Sequence, residues 1–345
     1  MPALDAAFVK EAALAAGFHA VGIARAEPLD PGPLDRMLAR GAEADMVWLR
    51  TQRDVRLDPR RLLEGARSVV ALALSYLEAG GSPEPPQARV ARYARGRDYH
   101  AVMKRRLKDL LARLRERDPA LRSFATADLG PVMEKAWAQR AGIGWVGKNG
   151  CLISTALGSW TVLATAILDR ELEPDAPHPD RCGSCAACLP ACPTGAIPEP
   201  GFVDARRCLS FHTIERRGPI PDDVAAGLGP WVFGCDACQA VCPWNAGAAA
   251  RCDPELRARE GQAALDLDAM LGLTLEGYRA RFWGTALARA RYEGLVRNAA
   301  LAAGHAGDRA RLPALRGLCA SPYPGVREAA RWAVARLSAA GPASP

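Results

Sequence analysis

The sequence predicts an α+β protein with three parts: a mixed α/β domain over residues 1–175, a cysteine-rich domain over residues 176–250, and a helical region over residues 251–345. Three observations support this division. Strand and helix patterns alternate in the first part, most of the 11 cysteines lie in the second, and paired helices rich in alanine, leucine and arginine fill the third. A chain of 345 residues is long enough for two or three domains that each bury a core.

The first part is predicted to be a mixed domain because helix and strand patterns follow one another along it. Residues 3–17 have the spacing of an amphipathic helix that ends at Gly17, and residues 20–24 follow as a short buried strand. Residues 67–74 form a second apolar strand candidate, which leads into a loop rich in glycine and proline at residues 79–86.

One charged helix and two further strands complete the first part. Residues 104–117 place leucines on one helical face and arginines around the remainder. Residues 124–128 and 159–168 are strand candidates, and the proline-rich segment 174–180 marks the boundary with the cysteine-rich part.

The helical region contains two similar segments. Residues 295–303 and 325–333 align with each other at an offset of about 30 residues, which is typical of helical repeats. We therefore predict a short pair of HEAT-like repeats that docks on the preceding domain, because two units cannot stand alone as a solenoid. An ordinary alanine-rich helical tail is the alternative.

Composition and charge narrow the class of protein. A hydrophobic content of 49% with 24% charged residues is typical of a soluble globular protein, and no apolar run reaches the roughly 20 residues of a membrane helix. The N-terminal segment does not read as a signal peptide, so we expect a cytoplasmic protein without a membrane partner. The net charge of +7 is consistent with a solvated basic surface or with a nucleic-acid partner.

Eight cysteines form an interlocked pattern that is typical of bacterial two-cluster ferredoxins. A CxxCxxCxxxCP run is followed by a CxxCxxxCP run, and in such runs the last cysteine binds the cluster of the other run. We therefore assign Cys182, Cys185, Cys188 and Cys242 to one [4Fe-4S] cluster. The other cluster is assigned Cys192, Cys208, Cys235 and Cys238.

Structural zinc is the alternative for these cysteines, although zinc usually takes two separated ligand pairs rather than a run of four. The three remaining cysteines are expected to be small buried hydrophobic residues: Cys151, Cys252 and Cys319. Two adjacent clusters carry electrons one at a time, so they need a further redox centre elsewhere in the protein.

Seven motifs distributed along the chain carry a family resemblance. They are RLDPR at 56–60, YARGRDYH at 93–100, DLGPVMEK at 128–135, GIGWVGKN at 142–149, GSC at 183–185, GCDACQ at 234–239 and CPWN at 242–245. Together they resemble the epoxyqueuosine reductases, and the match covers nearly the whole chain. The resemblance implies a cobalamin-dependent enzyme that reduces epoxyqueuosine to queuosine at the wobble base of tRNA, with no protein histidine on the cobalt.

The resemblance also implies how the parts cooperate. The first domain would bind cobalamin, the ferredoxin-like domain would supply electrons to it, and the HEAT-like tail would help to hold the tRNA. We expect an external electron donor of the flavodoxin or ferredoxin type, and a monomer. One departure is visible, because the family usually has a Gly-Glu pair where this chain has Ala164 and Thr165. A contact from that glutamate cannot be transferred to this chain.

Two other functions remain alternatives at this point. One is a corrinoid enzyme related to reductive dehalogenases that acts on a small halogenated molecule. The other is an iron–sulfur electron-transfer protein without catalytic activity.

The resemblance implies that Asp128 is the catalytic proton donor. Breaking the C–O bond of an epoxide takes two electrons and a proton that neutralises the departing alkoxide. A carboxylic acid can give this proton near neutral pH only if its pKa is raised by burial or by a neighbouring charge. A helix N-cap is the alternative role, since Asp128 precedes a helix-like stretch.

Two further sets of residues are predicted to bind ligands. The predicted cobalamin contacts are Arg56, Asp98, Tyr99, His100, Asp128, Lys148, Asn149, Ser154, Ser210 and Asp236. Structural bracing of the domain is the alternative for each of these polar side chains. The predicted tRNA contacts are Arg216, Arg217, Arg297 and Arg327, because RNA held by its backbone requires dispersed positive charge. A solvated helix face is the alternative for each arginine.

Overall fold

The computed structural model describes residues 4–79 and 87–339. Its strands are β1 Ala20–Arg25, β2 Ser68–Ser75, β3 Arg89–Val90, β4 Ser123–Thr126, β5 Trp145–Val146, β6 Leu152–Ile153, β7 Thr161–Leu168 and β8 Trp231–Phe233. Its α-helices are α1 Ala6–Ala15, α2 Gly32–Ala39, α3 Trp48–Thr51, α4 Arg53–Leu57, α5 Tyr99–Arg117, α6 Glu134–Arg140, α7 Leu209–Ile214, α8 Asp222–Gly227, α9 Ala237–Ala240, α10 Pro243–Ala246, α11 Leu267–Leu271, α12 Leu275–Phe282, α13 Arg291–Ala306, α14 Leu312–Leu318 and α15 Pro324–Ala339.

An antiparallel sheet of four strands organises the first part, in the order β1–β2–β7–β4. β2 is buried along its whole length, which explains why its sequence is continuously apolar rather than alternating. The side chains of Val70 and Leu72 pack toward α1 and α5, whereas those of Val69 and Ala71 pack toward α6. The sheet therefore separates two apolar cores.

The predicted strands and the charged helix are confirmed with shifted ends. The strand predicted at 124–128 ends at Thr126, because Asp128 has a left-handed backbone with φ of 62° that cannot continue a strand. α5 begins at Tyr99, ahead of the predicted start at residue 104, because the Asp98 side chain caps it by accepting the His100 N–H. Residues 80–86 of the predicted loop and residue 3 of the predicted first helix lie outside the described residues.

The three predicted parts share one continuous apolar core. Leu72 of the sheet, Phe233 of the cysteine-rich part and Leu301 of the helical region all belong to it. β3 also pairs with β8 in parallel, so the backbones of the first two parts are hydrogen-bonded to each other. The proposed boundaries at 175 and 250 stay predictions, since the packing continues across both.

The similar segments in the helical region lie within α13 and α15, which pack on each other. Gly304 allows their close approach, because a Cβ at this position would lie 2.9 Å from the Cα of Ala333. The classification of this pair as HEAT-like remains a prediction. Within the part of the chain that the structure describes, no helix is both long and apolar enough to span a bilayer.

Candidate redox active site

The first group of thiols surrounds a shallow recess in the cysteine-rich part. Its cysteines are Cys182, Cys185, Cys188 and Cys242. The cysteine between α9 and α10 thus reaches the three that come from the first run, in the crossed arrangement that the spacing indicates. The side chain of Cys185 is exposed to solvent.

Two side chains of the first domain support this recess. The Trp145 indole N–H donates to the Cys182 Sγ at 3.3 Å. The Lys148 ammonium donates to the backbone oxygens of Gly183 at 2.7 Å and Cys185 at 2.9 Å. The thiol-bearing loop is therefore positioned by the segment that carries the GIGWVGKN motif.

The second group of thiols lies deeper, against the shared core, and consists of Cys192, Cys208, Cys235 and Cys238. Burial raises the pKa of the Cys235 thiol to about 12, and the nearby Cys208 and Cys192 add to this shift. Cys192 also accepts the Ala196 N–H on its sulfur at 3.2 Å. Crowded buried thiolates need a positive charge to neutralise them, and iron ions supply such a charge.

Cys151, which is expected from the sequence to be a small buried hydrophobic residue, also lies in this region. Its side chain lies in hydrogen-bond contact with Cys238, and that contact lowers the pKa of Cys151 although burial opposes this. Cys252 and Cys319 donate to backbone oxygens of Asp253 and Leu315, in agreement with the expected packing roles. Only the position of Cys151 after the GIGWVGKN motif could have indicated its location.

A separate group of polar side chains surrounds Asp128. The Tyr99 hydroxyl donates to the Asp128 Oδ2, and the His100 Nε2 lies 3.4 Å from the same oxygen. The His100 Nδ1 lies 2.7 Å from the Asp98 Oδ1. The side chain of Asp128 is 63% exposed, so a substrate can reach its carboxylate.

The backbone around Asp128 is fixed by Glu134. The Asp128 N–H donates to the Glu134 Oε1 at 3.0 Å, across the Gly130 turn. α6 begins at Glu134 with Met133 as its N-cap, so the N-cap interpretation of Asp128 is wrong. Burial, together with the Asp128 charge, raises the pKa of the Glu134 carboxyl to about 7.

The contacts of this group favour a proton on the imidazole over one on the Asp128 carboxyl. The hydrogen bond from His100, together with the one from Tyr99, lowers the pKa of Asp128 although burial opposes this. Burial alone would lower the pKa of His100, but Asp128 and Asp98 outweigh it and raise the pKa to about 9. The expectation of a raised pKa for Asp128 is therefore wrong.

Arg56 lies on the other side of the Asp128 loop. It donates weakly to the Val132 backbone oxygen at 3.5 Å and to the Gln52 side chain at 3.1 Å. Its buried Nε and the hydroxyl of Thr165, which is 1% exposed on β7, have no hydrogen-bond partner among the described residues. Buried polar atoms are normally hydrogen-bonded, so these two atoms are exceptions among the described residues.

Five of the predicted cobalamin contacts are engaged inside the protein. Lys148 braces the first thiol group, and the Asn149 amide donates to the Cys238 backbone oxygen at 3.4 Å. Ser154 is buried in a backbone bridge with Gly158. The remaining two are Ser210, whose hydroxyl lies 3.5 Å from the Cys235 oxygen, and Asp236, which accepts the Arg92 N–H at 2.8 Å. These contacts hold the five side chains in place, and their role as cobalamin contacts stays a prediction.

The predicted tRNA contacts divide into buried and accessible residues. Arg297 is only 2% exposed, and its guanidinium donates to the backbone oxygens of Arg216 and Gly218, so its prediction as an RNA contact is wrong. Arg216, Arg217 and Arg327 are half-buried. The first two line a cavity of about 200 Å³ between the segment after α7 and the starts of α13 and α15.

Comparison with known proteins identifies both halves of this site. Residues 181–245 match a family model described as 4Fe-4S double cluster binding domain. Residues 56–128 match a model described as Epoxyqueuosine reductase QueG, DUF1730. The sequence is 45% identical over 311 residues to the epoxyqueuosine reductase of Gloeobacter violaceus, which covers 88% of this chain and 97% of that relative.

Two solved structures share the fold over 96% of this chain. An epoxyqueuosine reductase crystallised with an epoxyqueuosine-modified tRNA-Tyr stem loop has a TM-score of 0.87 and 32% identity, with 89% of that chain covered. The epoxyqueuosine reductase of Bacillus subtilis, solved with its aspartate catalytic loop swung out of the active site, has a TM-score of 0.86 and 31% identity, with 90% covered. This chain therefore belongs to the epoxyqueuosine reductase family.

Proposed function

We propose that this protein reduces epoxyqueuosine to queuosine at the wobble position of tRNA. The observation that carries the proposal is that one chain of this family holds two groups of four thiols and the accessible, hydrogen-bonded carboxylate of Asp128. The parts that bear them share one apolar core. The epoxide takes up two electrons and two protons, its two C–O bonds break, a C=C bond forms, and the oxygen leaves as water. The thiol groups belong to the electron supply and the Asp128 group to the proton supply.

The electrons would pass through two [4Fe-4S] clusters held in the crossed arrangement. One cluster would take the four cysteines of the surface recess, and the other the four that include Cys235 in the core. The donor sets fit, because each group supplies four thiols and a cubane cluster needs four thiolates. The exposure of Cys185 supports the recess as the contact point of an external donor of the flavodoxin or ferredoxin type.

The reactive centre would be cobalamin, bound between the clusters and the Asp128 loop. Arg56, whose buried Nε has no hydrogen-bond partner among the described residues, and the polar side chains around Asp128 supply donors and acceptors of the kind that the amide and phosphate groups of a corrinoid need. When bound, cobalamin supplies a low-valent metal that delivers electrons to the substrate carbon. The ten residues predicted from the sequence remain the proposed protein contacts around it, and Asp98, Tyr99 and His100 belong to the group around Asp128.

Asp128 would act as the group that gives a proton to the substrate oxygen. Its carboxylate is accessible, and Glu134 and Tyr99 hold its backbone and its side chain in place. The Bacillus subtilis relative was solved with an aspartate catalytic loop swung out, which supports a mobile role for the loop. Leu129 on this loop is 76% exposed, so it could contact the substrate base when the loop closes.

The tRNA would lie across the first domain and the helical region. Arg216, Arg217 and Arg327 provide the basic surface beside the cavity at the starts of α13 and α15, and a related structure contains an epoxyqueuosine-modified stem loop. A HEAT-like pair formed by α13 and α15 would present this surface. We further propose that the protein acts as a monomer in the cytoplasm.

The test is direct conversion of the substrate. The anaerobically reconstituted protein, loaded with iron–sulfur clusters and cobalamin and chemically reduced, is incubated with epoxyqueuosine-containing tRNA, and the nucleosides are analysed. We expect queuosine to form, and the Asp128→Asn variant to form it at least about 10²-fold more slowly. Absence of queuosine with the loaded wild-type protein would overturn the proposed function.

A further inference from the structure

Three side chains form a continuous line of polar contacts from the start of α5 into the candidate site. Asp98 contacts the Nδ1 of His100 at 2.7 Å, and the Nε2 of His100 contacts the Oδ2 of Asp128 at 3.4 Å. Asp98 also caps α5 through the His100 N–H at 3.0 Å, so the backbone and the ring of His100 are held by one carboxylate. The imidazole therefore has a fixed orientation toward Asp128.

This arrangement determines where the shared proton lies. An ionised carboxylate only accepts hydrogen bonds, so carboxylates on both ring nitrogens require a hydrogen atom on each of them. The Tyr99 hydroxyl also donates to the Asp128 Oδ2, which further favours the ionised form of that carboxyl. The resting state is thus an imidazolium between two carboxylates.

The other charged groups around the line do not change this result. Lys135 and Arg289 interact electrostatically with Asp128, and Arg56 interacts with Glu134. Glu134 has a raised pKa and accepts the Asp128 N–H, and Tyr99 stacks on the His100 ring with centroids 4.0 Å apart. The carboxylates of Asp98 and Asp128 are the groups in direct hydrogen-bond range of the ring.

We propose that His100 is the proton reservoir of the reaction, that Asp128 relays its proton to the substrate, and that Asp98 is a positioning residue for the imidazole. This proposal rests on the proposed function. The Nε2–H bond of His100 breaks as an O–H bond forms on Asp128, and that O–H bond breaks as the substrate alkoxide becomes a hydroxyl. No electrons are exchanged in this step.

The same line accounts for recovery after the transfer. His100 is left neutral with its Nδ1–H still bound to Asp98, and Asp128 is again a carboxylate. The His100 side chain is 23% exposed, so solvent can return the proton before the next transfer. A carboxyl with a lowered pKa can therefore serve as the donor to substrate, because it carries the proton only during the relay.

The experiment measures single-turnover formation of queuosine by the reduced holoprotein between pH 6 and pH 10, together with tRNA affinity and cluster content. The wild-type rate should fall about tenfold per pH unit above about 9, where His100 loses its proton. His100→Gln should lower the neutral-pH rate by about 10²-fold or more and should abolish this limb, while tRNA affinity stays within a few-fold. NMR of ring-labelled histidine should show one resonance that titrates near pH 9 and is missing in His100→Gln.

A second variant keeps the proposal testable if His100→Gln does not fold. Asp98→Asn preserves the helix cap, since asparagine and aspartate are comparable N-caps, but it removes one of the two carboxylates. It should move the high-pH limb to lower pH. His305→Gln, whose ring contacts the Ala225 oxygen in the helical part, is the matched control and should keep the wild-type profile.

The possible failures are distinguishable. If wild type forms no queuosine at any pH, the proposed function fails. If wild type is active and His100→Gln keeps both its neutral-pH rate and its high-pH limb, the relay is wrong. If His100→Gln is slower by the same factor at every pH and the limb is unmoved, His100 has only a structural role and the proposal is overturned.

Discussion

Replacing Arg297 with leucine tests whether this arginine stabilises the protein or contacts RNA. Its guanidinium is buried under the segment that follows α7. It donates to the backbone oxygens of His212 at 2.5 Å, Arg216 at 2.9 Å and Gly218 at 2.7 Å, and to the Asn298 Oδ1 at 2.9 Å. The variant Arg297→Leu leaves these oxygens without their donor beneath a side chain that is only 2% exposed.

The expected loss follows from the number of orphaned groups. Each buried acceptor that loses its partner costs about 1–3 kcal/mol, so three backbone oxygens cost about 3 kcal/mol at the lower limit. The leucine side chain recovers part of the apolar packing, which reduces the loss. Burial, together with the charges of Arg217 and Arg216, lowers the pKa of Arg297 to about 9, so the wild-type protein already bears a cost for the buried charge. We therefore expect a loss of about 3 kcal/mol, a large part of the roughly 5–15 kcal/mol of a typical domain.

The assay is urea unfolding of the holoprotein under anaerobic conditions. The tRNA affinity is measured separately in the absence of urea. Arg331→Leu is the matched control, since its side chain is 60% exposed on α15 and should change stability by less than about 0.5 kcal/mol. The reasoning is refuted if Arg297→Leu unfolds at the wild-type urea concentration but binds tRNA much more weakly. That result would restore the RNA contact.

Three further predictions concern the cofactors and the proton supply. Cys242→Ser should lower the iron content to about half, because only one of two four-thiol groups loses a ligand, whereas Cys252→Ser should leave it unchanged; equal losses in both would contradict the assignment. Trp145→Phe removes the N–H donor to Cys182 and should make the reduction potential of that cluster more negative, which EPR-monitored titration measures; an unchanged potential would show that this hydrogen bond is unimportant. The pKa of Glu134 is raised from 4.5 to about 7 in the folded protein. Its contribution to the free energy of unfolding is therefore complete below pH 4.5 and is lost as the pH rises through 7. Glu134→Gln should therefore be more stable than wild type at pH 8, by up to about 3 kcal/mol in urea unfolding, but not at pH 4; a greater stability of wild type at pH 8 would reverse the sign of this account.

The thiol groups could be predicted from sequence because their information is local. Three cysteines on one tight turn must lie together, and the fourth in a Cys-Pro pair must point to the other cluster. The strands β2 and β7 were equally predictable, since strands buried on both faces produce long apolar runs. The start of α5 was missed because apolar periodicity begins only after Asp98 has already capped the helix.

The charge state of the Asp128 group could not be read from the sequence. It depends on His100, which reaches Asp128 only because α5 and the loop after β4 meet at one end of the sheet. Arg297 was misassigned for a similar reason. An arginine on a helix is usually a surface residue, and its burial depends on the backbone oxygens of residues 212–218, which tertiary packing brings over α13.

The most direct test of the account is a nucleoside analysis with electron counting in a single experiment. Reduced holoprotein is mixed with epoxyqueuosine-containing tRNA, and the product nucleoside and the oxidation of the clusters are measured together. The account predicts queuosine that lacks one oxygen atom relative to the substrate, with two electrons consumed per nucleoside and a strong decrease in Asp128→Asn. Electron consumption without loss of the epoxide oxygen, or full conversion by Asp128→Asn, would contradict it.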